Sequence, residues 1–183
     1  HNEEVRQNLQ KTWESIPKKM RHQATLVLAY SQRLLEIDGN NEAEEVVAAF
    51  LRKDWDDRLV RLYGTIAGRD PQKQYLLAES WLKERPSNAS LLLTLGRLCL
   101  LNQQWTNARQ YFEASINARK SAEAYGELGR LLSRLGEHEA SNENFQRGLM
   151  MIAQRLPDLP LPPAVKRHPE SVTSQATMEP GAL

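Results

Sequence analysis

Residues 94–105 read TLGRLCLLNQQW and residues 127–138 read ELGRLLSRLGEH. Both contain Leu-Gly-Arg-Leu, and their glycines, Gly96 and Gly129, stand 33 residues apart. That interval is the span of one helical hairpin with its turns. Apolar residues elsewhere also recur at helical spacing: Val27, Leu28, Leu34, Leu35 and Ile37 in one segment, Val46, Val47, Phe50 and Leu51 in the next. Strand-like alternation is nearly absent, so the chain reads as all-α.

The two phrases are the first helices of consecutive tetratricopeptide-like repeats, helix–turn–helix units of about 34 residues. Counted from Ala89, the motif positions fall on Leu92, Leu95, Gly96, Cys99, Ala108, Phe112 and Ser115; counted from Ala122, they fall on Tyr125, Leu128, Gly129, Leu132, Ser141, Phe145 and Gly148. Small residues at the eighth, twentieth and twenty-seventh positions let two helices approach closely, and the larger ones fill the space between them. Gly136 sits at the turn of the second copy, where the first copy has Gln103.

Outward from these copies the repeats degenerate. Ala43, Ala78, Ala108 and Ala140 still mark an approximate period, with intervals of 35, 30 and 32. Breakers fall at Pro17, Asp38–Asn41, Lys53-Asp54, Gly68–Pro71, Pro86–Asn88, Asn102–Gln104, Lys120-Ser121 and Gly136-Glu137. Asp54 and Asp70 are expected helix caps, and Pro71 suits a first helical position. The punctuation predicts about nine helices, near 3–16, 18–37, 41–53, 55–67, 71–84, 89–102, 105–118, 122–135 and 138–155. The expected organisation is a leading helix over 1–17, a repeat array over 18–156 with clear copies at 89–121 and 122–155, and a tail over 157–183. The tail is rich in Pro, Ser and Thr, and is expected to be largely disordered. Its PDLPLPP segment favours polyproline conformation, as a stiff linker or a docking peptide.

Composition narrows the function. Of the 183 residues, 40% are hydrophobic and 26% charged, as in a soluble folded protein, and the formal net charge is +1. That balance argues against nucleic acid as a partner, which calls for a strongly basic face. The single cysteine, Cys99, excludes an internal disulfide and any Cys-x-x-Cys metal or redox pair. No apolar run approaches the roughly 20 residues of a membrane span, and no signal peptide opens the chain. A first residue that is His1 rather than Met reads as the start of an excised fragment.

The stretch WLKERPSNASLLLTLGRLCLLNQQWTNARQYFEASI, continued by SAEAYGELGRLLSRLGEHEASNENFQRGL and preceded by DWDDRLVRLYGTI, resembles the C-terminal tetratricopeptide region of HemY proteins. The resemblance covers roughly residues 13–150 and is most specific from Trp81 to Leu149. It implies a parent protein anchored in the bacterial inner membrane, with this region as a soluble domain behind the anchor on a side the sequence does not give. It also implies a role in haem or porphyrin metabolism, as a scaffold whose partners are haem-pathway enzymes. The flavin enzyme that shares the name is excluded, because no Gly-x-Gly-x-x-Gly fingerprint is present.

A repeat solenoid presents a concave face made mainly by the first helix of each pair. The motif register puts Ser90, Leu93, Arg97, Leu100 and Leu101, then Glu123, Gly126, Arg130, Ser133 and Arg134, on that groove, with Arg58 and Arg61 on the preceding hairpin. Aligned arginines suit a carboxylate, so the expected occupant is an acidic peptide, a C-terminus or a porphyrin propionate. The competing reading pairs these arginines with acids on neighbouring helices or leaves them simply solvated. The Lys/Asn clamp of chaperone-binding relatives is missing.

Cys99 reads as a small core residue. His22, His138 and His168 lack metal-ligand spacing, and Trp13, Trp55, Trp81 and Trp105 read as inter-helix packing. The acidic runs at 42–45 and 54–57 suit helix starts. No catalytic constellation stands out, so the chain is expected not to be an enzyme. No cofactor or metal is called for by the residues; haem is the cofactor that the resemblance leaves open, through a tetrapyrrole-carrier alternative to the scaffold. Exposed terminal repeats add homo-oligomerisation as an expected association.

Overall fold

The computed structural model describes residues 2–163. It contains ten α-helices and, among the described residues, no strand: α1 Asn2–Ser15, α2 Lys18–Arg21, α3 Ala24–Glu36, α4 Asn40–Leu51, α5 Asp57–Tyr63, α6 Pro71–Ser80, α7 Ala89–Leu101, α8 Trp105–Ala118, α9 Ala122–Arg134 and α10 His138–Ala153. A single 3₁₀ turn, Trp81–Lys83, extends α6. The hairpins α3–α4, α7–α8 and α9–α10 stack in order, and first helices also pack on one another, α3 on α5 and α5 on α7. This is an all-α tetratricopeptide-like solenoid.

Three hairpin turns share one geometry. Asp38, Gln103 and Gly136 all have positive φ, at 60°, 58° and 82°. In each case the next residue's N–H reaches back five residues: Gly39 to Leu34 O, Gln104 to Cys99 O and Glu137 to Leu132 O, at 2.8–3.0 Å. The left-handed residue's own N–H bonds three residues back, which completes a Schellman cap. Two non-glycine residues thus hold a glycine conformation in order to close the helix ends.

Inside each clear repeat, small residues do what their size permits. Ser115 donates to Ala89 O at 2.8 Å and Ser141 donates to Gly129 O at 2.7 Å, so each hydroxyl ties the second helix to the first helix's backbone. Phe112 lies flat on Gly96 and Phe145 on Gly129, where a β-carbon would fall within 3 Å of the rings. Ala43, Ala78 and Ala108 are fully buried at their close approaches. Asp70, Asn88 and Ser121 cap α6, α7 and α9.

Three expectations need correction. The helix over 18–37 is two helices, because Gln23 adopts an extended conformation with ψ 124°; no residue in the local sequence explains the break. The helix over 55–67 stops at Tyr63. Gly64 there lies against Thr94, where a β-carbon would sit 2.9 Å from its Cα, and the Gln74 side chain takes over the freed carbonyls of Tyr63 and Ile66. Asp56, not Asp54, caps α5, accepting from the Arg58 and Leu59 N–H groups. Of the tail, residues 157–163 are non-helical and exposed; residues 164–183, with His168, lie outside the described residues.

The aromatic residues fasten the degenerate end. Trp13 on α1 stacks on Tyr30 at 4.2 Å, Trp81 meets Trp55 edge-on and Tyr63 at a tilt, and the Arg85 guanidinium lies 4.1 Å over the Trp55 ring. The Tyr63 hydroxyl donates to Glu44 at 3.0 Å, and burial raises its pKa.

Candidate functional site

Four of the residues expected on the groove, Arg61, Arg97, Glu123 and Arg130, meet with Glu127 in one ion-pair ladder across α5, α7 and α9. Arg97 donates through Nε to Glu127 at 2.9 Å and through NH2 to Glu123 at 3.1 Å. Arg61 approaches Glu123 at 3.9 Å, and Arg97 also reaches the Arg61 carbonyl at 3.5 Å. Arg130 contacts the other oxygen of Glu127 at 3.3 Å. Three first helices are thereby cross-linked at the same level.

The ladder divides its arginines by accessibility. The Arg97 and Glu127 side chains are 13% and 15% exposed, whereas Arg130 is 75% exposed. Arg97 is occupied internally, and Arg130 is open to a partner. Replacing Arg97 with alanine leaves the largely buried Glu127 with only the exposed Arg130 as a partner, which is expected to cost about 2 kcal/mol. Arg130→Ala should cost under about 0.5 kcal/mol. Urea midpoints of the two variants check this, and equal losses would refute the division.

Ser90, Arg58 and Arg134 stand apart from the ladder. Ser90 is buried, and its hydroxyl accepts from Arg119 at 3.5 Å. Arg58 bonds both oxygens of Asp56, which holds that carboxyl below its ordinary range and engages the guanidinium locally. Arg134 lies one turn beyond Arg130 on α9 and is exposed.

Arg130 and Arg134 border a cleft of about 550 Å³ between the turn after α7 and the hairpin α9–α10. Its wall is largely apolar, from Leu100, Trp105, Leu131, Leu135 and Phe145, with Glu127 and Ser133 also lining it. Trp105 is 47% exposed there, unlike the packed tryptophans, and Leu101 nearby is also exposed. The sequence reading took Trp105 for inter-helix packing and left it out of the site. Its signal was its place as the first residue of α8, directly after the turn at Gln103.

Other candidates carry no chemistry of this kind. Cys99 is fully buried, and burial pushes its thiol up to about 11. Among the described residues no three His, Cys, Asp or Glu side chains gather closely enough for a metal. No described helix is long and apolar enough to cross a membrane.

No protein-family model matches the chain. The chain is 26% identical over 151 residues to Protein HemY of Escherichia coli (strain K12), which spans 82% of this chain and 38% of that protein. The same figures hold for Protein HemY of Shigella flexneri. Among solved structures, a crystal structure of MamA superposes with a TM-score of 0.54 at 15% identity, covering 79% of this chain and 87% of that one. The MamA RS-1 ArsTM double mutant gives 0.53 at 16% identity, covering 86% and 88%. At such identities the MamA likeness is one of fold. The resemblance read from the repeats is therefore borne out: this helical-repeat chain is similar to HemY over most of its own length, and spans a little over a third of the HemY proteins it matches.

Proposed function

We propose that the array over residues 18–156 is a protein-interaction scaffold that holds an acidic, apolar-anchored peptide segment on the face of its first helices. The observation that carries the reading is the apolar cleft around Trp105 with Arg130 and Arg134 on its rim. An exposed indole in a concave apolar wall supplies anchoring area, and two accessible guanidinium groups supply orientation toward carboxylates. Arg97, Arg61 and Glu123 stiffen the face on which the cleft sits; Ser90 and Arg58 take no part in the contact.

The likeness to HemY supports taking the parent protein as inner-membrane-anchored and its partners as enzymes of haem or porphyrin metabolism. Affinity capture from a bacterial lysate tests this with wild type and a Trp105→Ala/Arg130→Ala/Arg134→Ala variant of unchanged helical signal. Porphyrin-pathway enzymes should be enriched by wild type and reduced about tenfold or more by the variant. Enrichment that survives the variant moves the interface off this cleft.

The same apolar wall and basic rim also favour a second reading, direct binding of a tetrapyrrole through its propionates. A Soret-band titration separates the two: a saturable shift lost in the triple variant supports the carrier, and no shift leaves the peptide.

A further inference from the structure

A second cleft, of about 310 Å³, lies at the opposite end of the array, between α1, α2, α3 and α4. The helix break at Gln23 lies beside it, with Lys18, Arg21 and His22 on one side of the break and Val27 on the other. Trp13 and Phe50 give it an aromatic wall. Every ionisable group that lines it is basic: Lys18, Arg21, His22 and Lys53.

These groups are not neutralised by the fold. Elsewhere Arg97 and Arg109 each hold two carboxylates. None of the four lining groups has an ion-pair partner among the described residues. Glu14 accepts from Gln10, Glu42 from Arg6 and Asp54 from the Trp55 N–H. The Nε of Arg21 is buried without any hydrogen-bond acceptor. A desolvated donor without a partner, amid like charges, raises the free energy of the folded state, and a bound anion would reverse that. Such a volume suits a small ligand.

We propose that this cleft binds a small organic anion, a phosphate or carboxylate head carried on an aromatic or short apolar body. The head meets Arg21 and Lys53, and the body lies against Trp13 and Phe50. This site is independent of the Trp105 cleft, and its ligand is bound rather than transformed.

Calorimetric titration with 1-naphthyl phosphate tests the proposal, alongside neutral 1-naphthol and inorganic phosphate. Naphthyl phosphate is expected to bind saturably and at least about tenfold more tightly than either fragment. Arg21→Gln and Lys53→Gln should each weaken it severalfold, while Lys73→Gln, exposed on α6 and outside both clefts, leaves it unchanged. Helical circular dichroism confirms that each variant is folded, and Lys53, being exposed, can be replaced without disturbing the core. Equal binding of naphthol, or affinity unchanged in both Arg21→Gln and Lys53→Gln, overturns the assignment. Phosphatidylglycerol vesicles distinguish the sources of the chemistry. Binding to naphthyl phosphate alone marks a free small molecule, binding to both marks a lipid head group, and binding to vesicles alone refutes the site.

Discussion

Phe112→Ala should destabilise the array by about 3–5 kcal/mol, whereas Phe145→Ala, at the same motif position one repeat later, should cost only about 1 kcal/mol. Both rings lie on a glycine of the preceding helix. The difference is what covers their other side. Phe112 is fully buried because α9 packs on α8, while Phe145 is 36% exposed because no further helix follows α10 among the described residues. Truncating Phe112 opens a cavity at the junction of two repeats, and truncating Phe145 removes a ring that water already reaches. Since solenoid stability is a sum of repeats and their interfaces, the Phe112 variant should also uncouple α9–α10 from the rest. Amide hydrogen exchange would show α9 and α10 losing protection before α7. Equal losses at the two phenylalanines would refute the assignment of α10 as an uncovered end.

Gly96→Ala is expected to cost about 1–3 kcal/mol, although alanine favours helix over glycine by about 1 kcal/mol. The added β-carbon would sit 2.5 Å from Phe112 Cδ1, against a ring that is itself fully buried and has nowhere to move. Gly126→Ala supplies the contrast. It lies inside α9 with nothing within 4 Å of the added carbon, so the helix preference acts alone and stabilises by about 0.5–1 kcal/mol. Urea unfolding of the two variants should move in opposite directions. A neutral Gly96→Ala would mean that the α7–α8 approach is looser than the ring contact indicates.

The legible part of this chain is what depends on near neighbours in sequence. The Leu-Gly-Arg-Leu phrases, the alanines at 43, 78 and 108, and Asp70 before Pro71 encode helix faces, close approaches and caps, and these act within one hairpin. Where a long-range contact governs an element, the reading slipped. Gly64 read as ordinary helix, yet it is pressed against Thr94, thirty residues away, and the helix ends there. Helix 18–37 read as continuous, and its break at Gln23 has no local signal.

The amino-acid order by itself determined that this is a stacked array of helical hairpins similar to the HemY repeats, because periodicity and residue size recur at hairpin length. The tertiary structure alone decided which arginines are available. Arg97 and Arg130 hold identical motif positions, but Glu123 and Glu127 of the next repeat's first helix enclose Arg97, and among the described residues no later helix encloses Arg130. It also decided that Trp105 faces a cleft rather than the core. A side chain's partners are set by which helix packs across from it, and that is a property of the stack, not of the segment that carries the side chain.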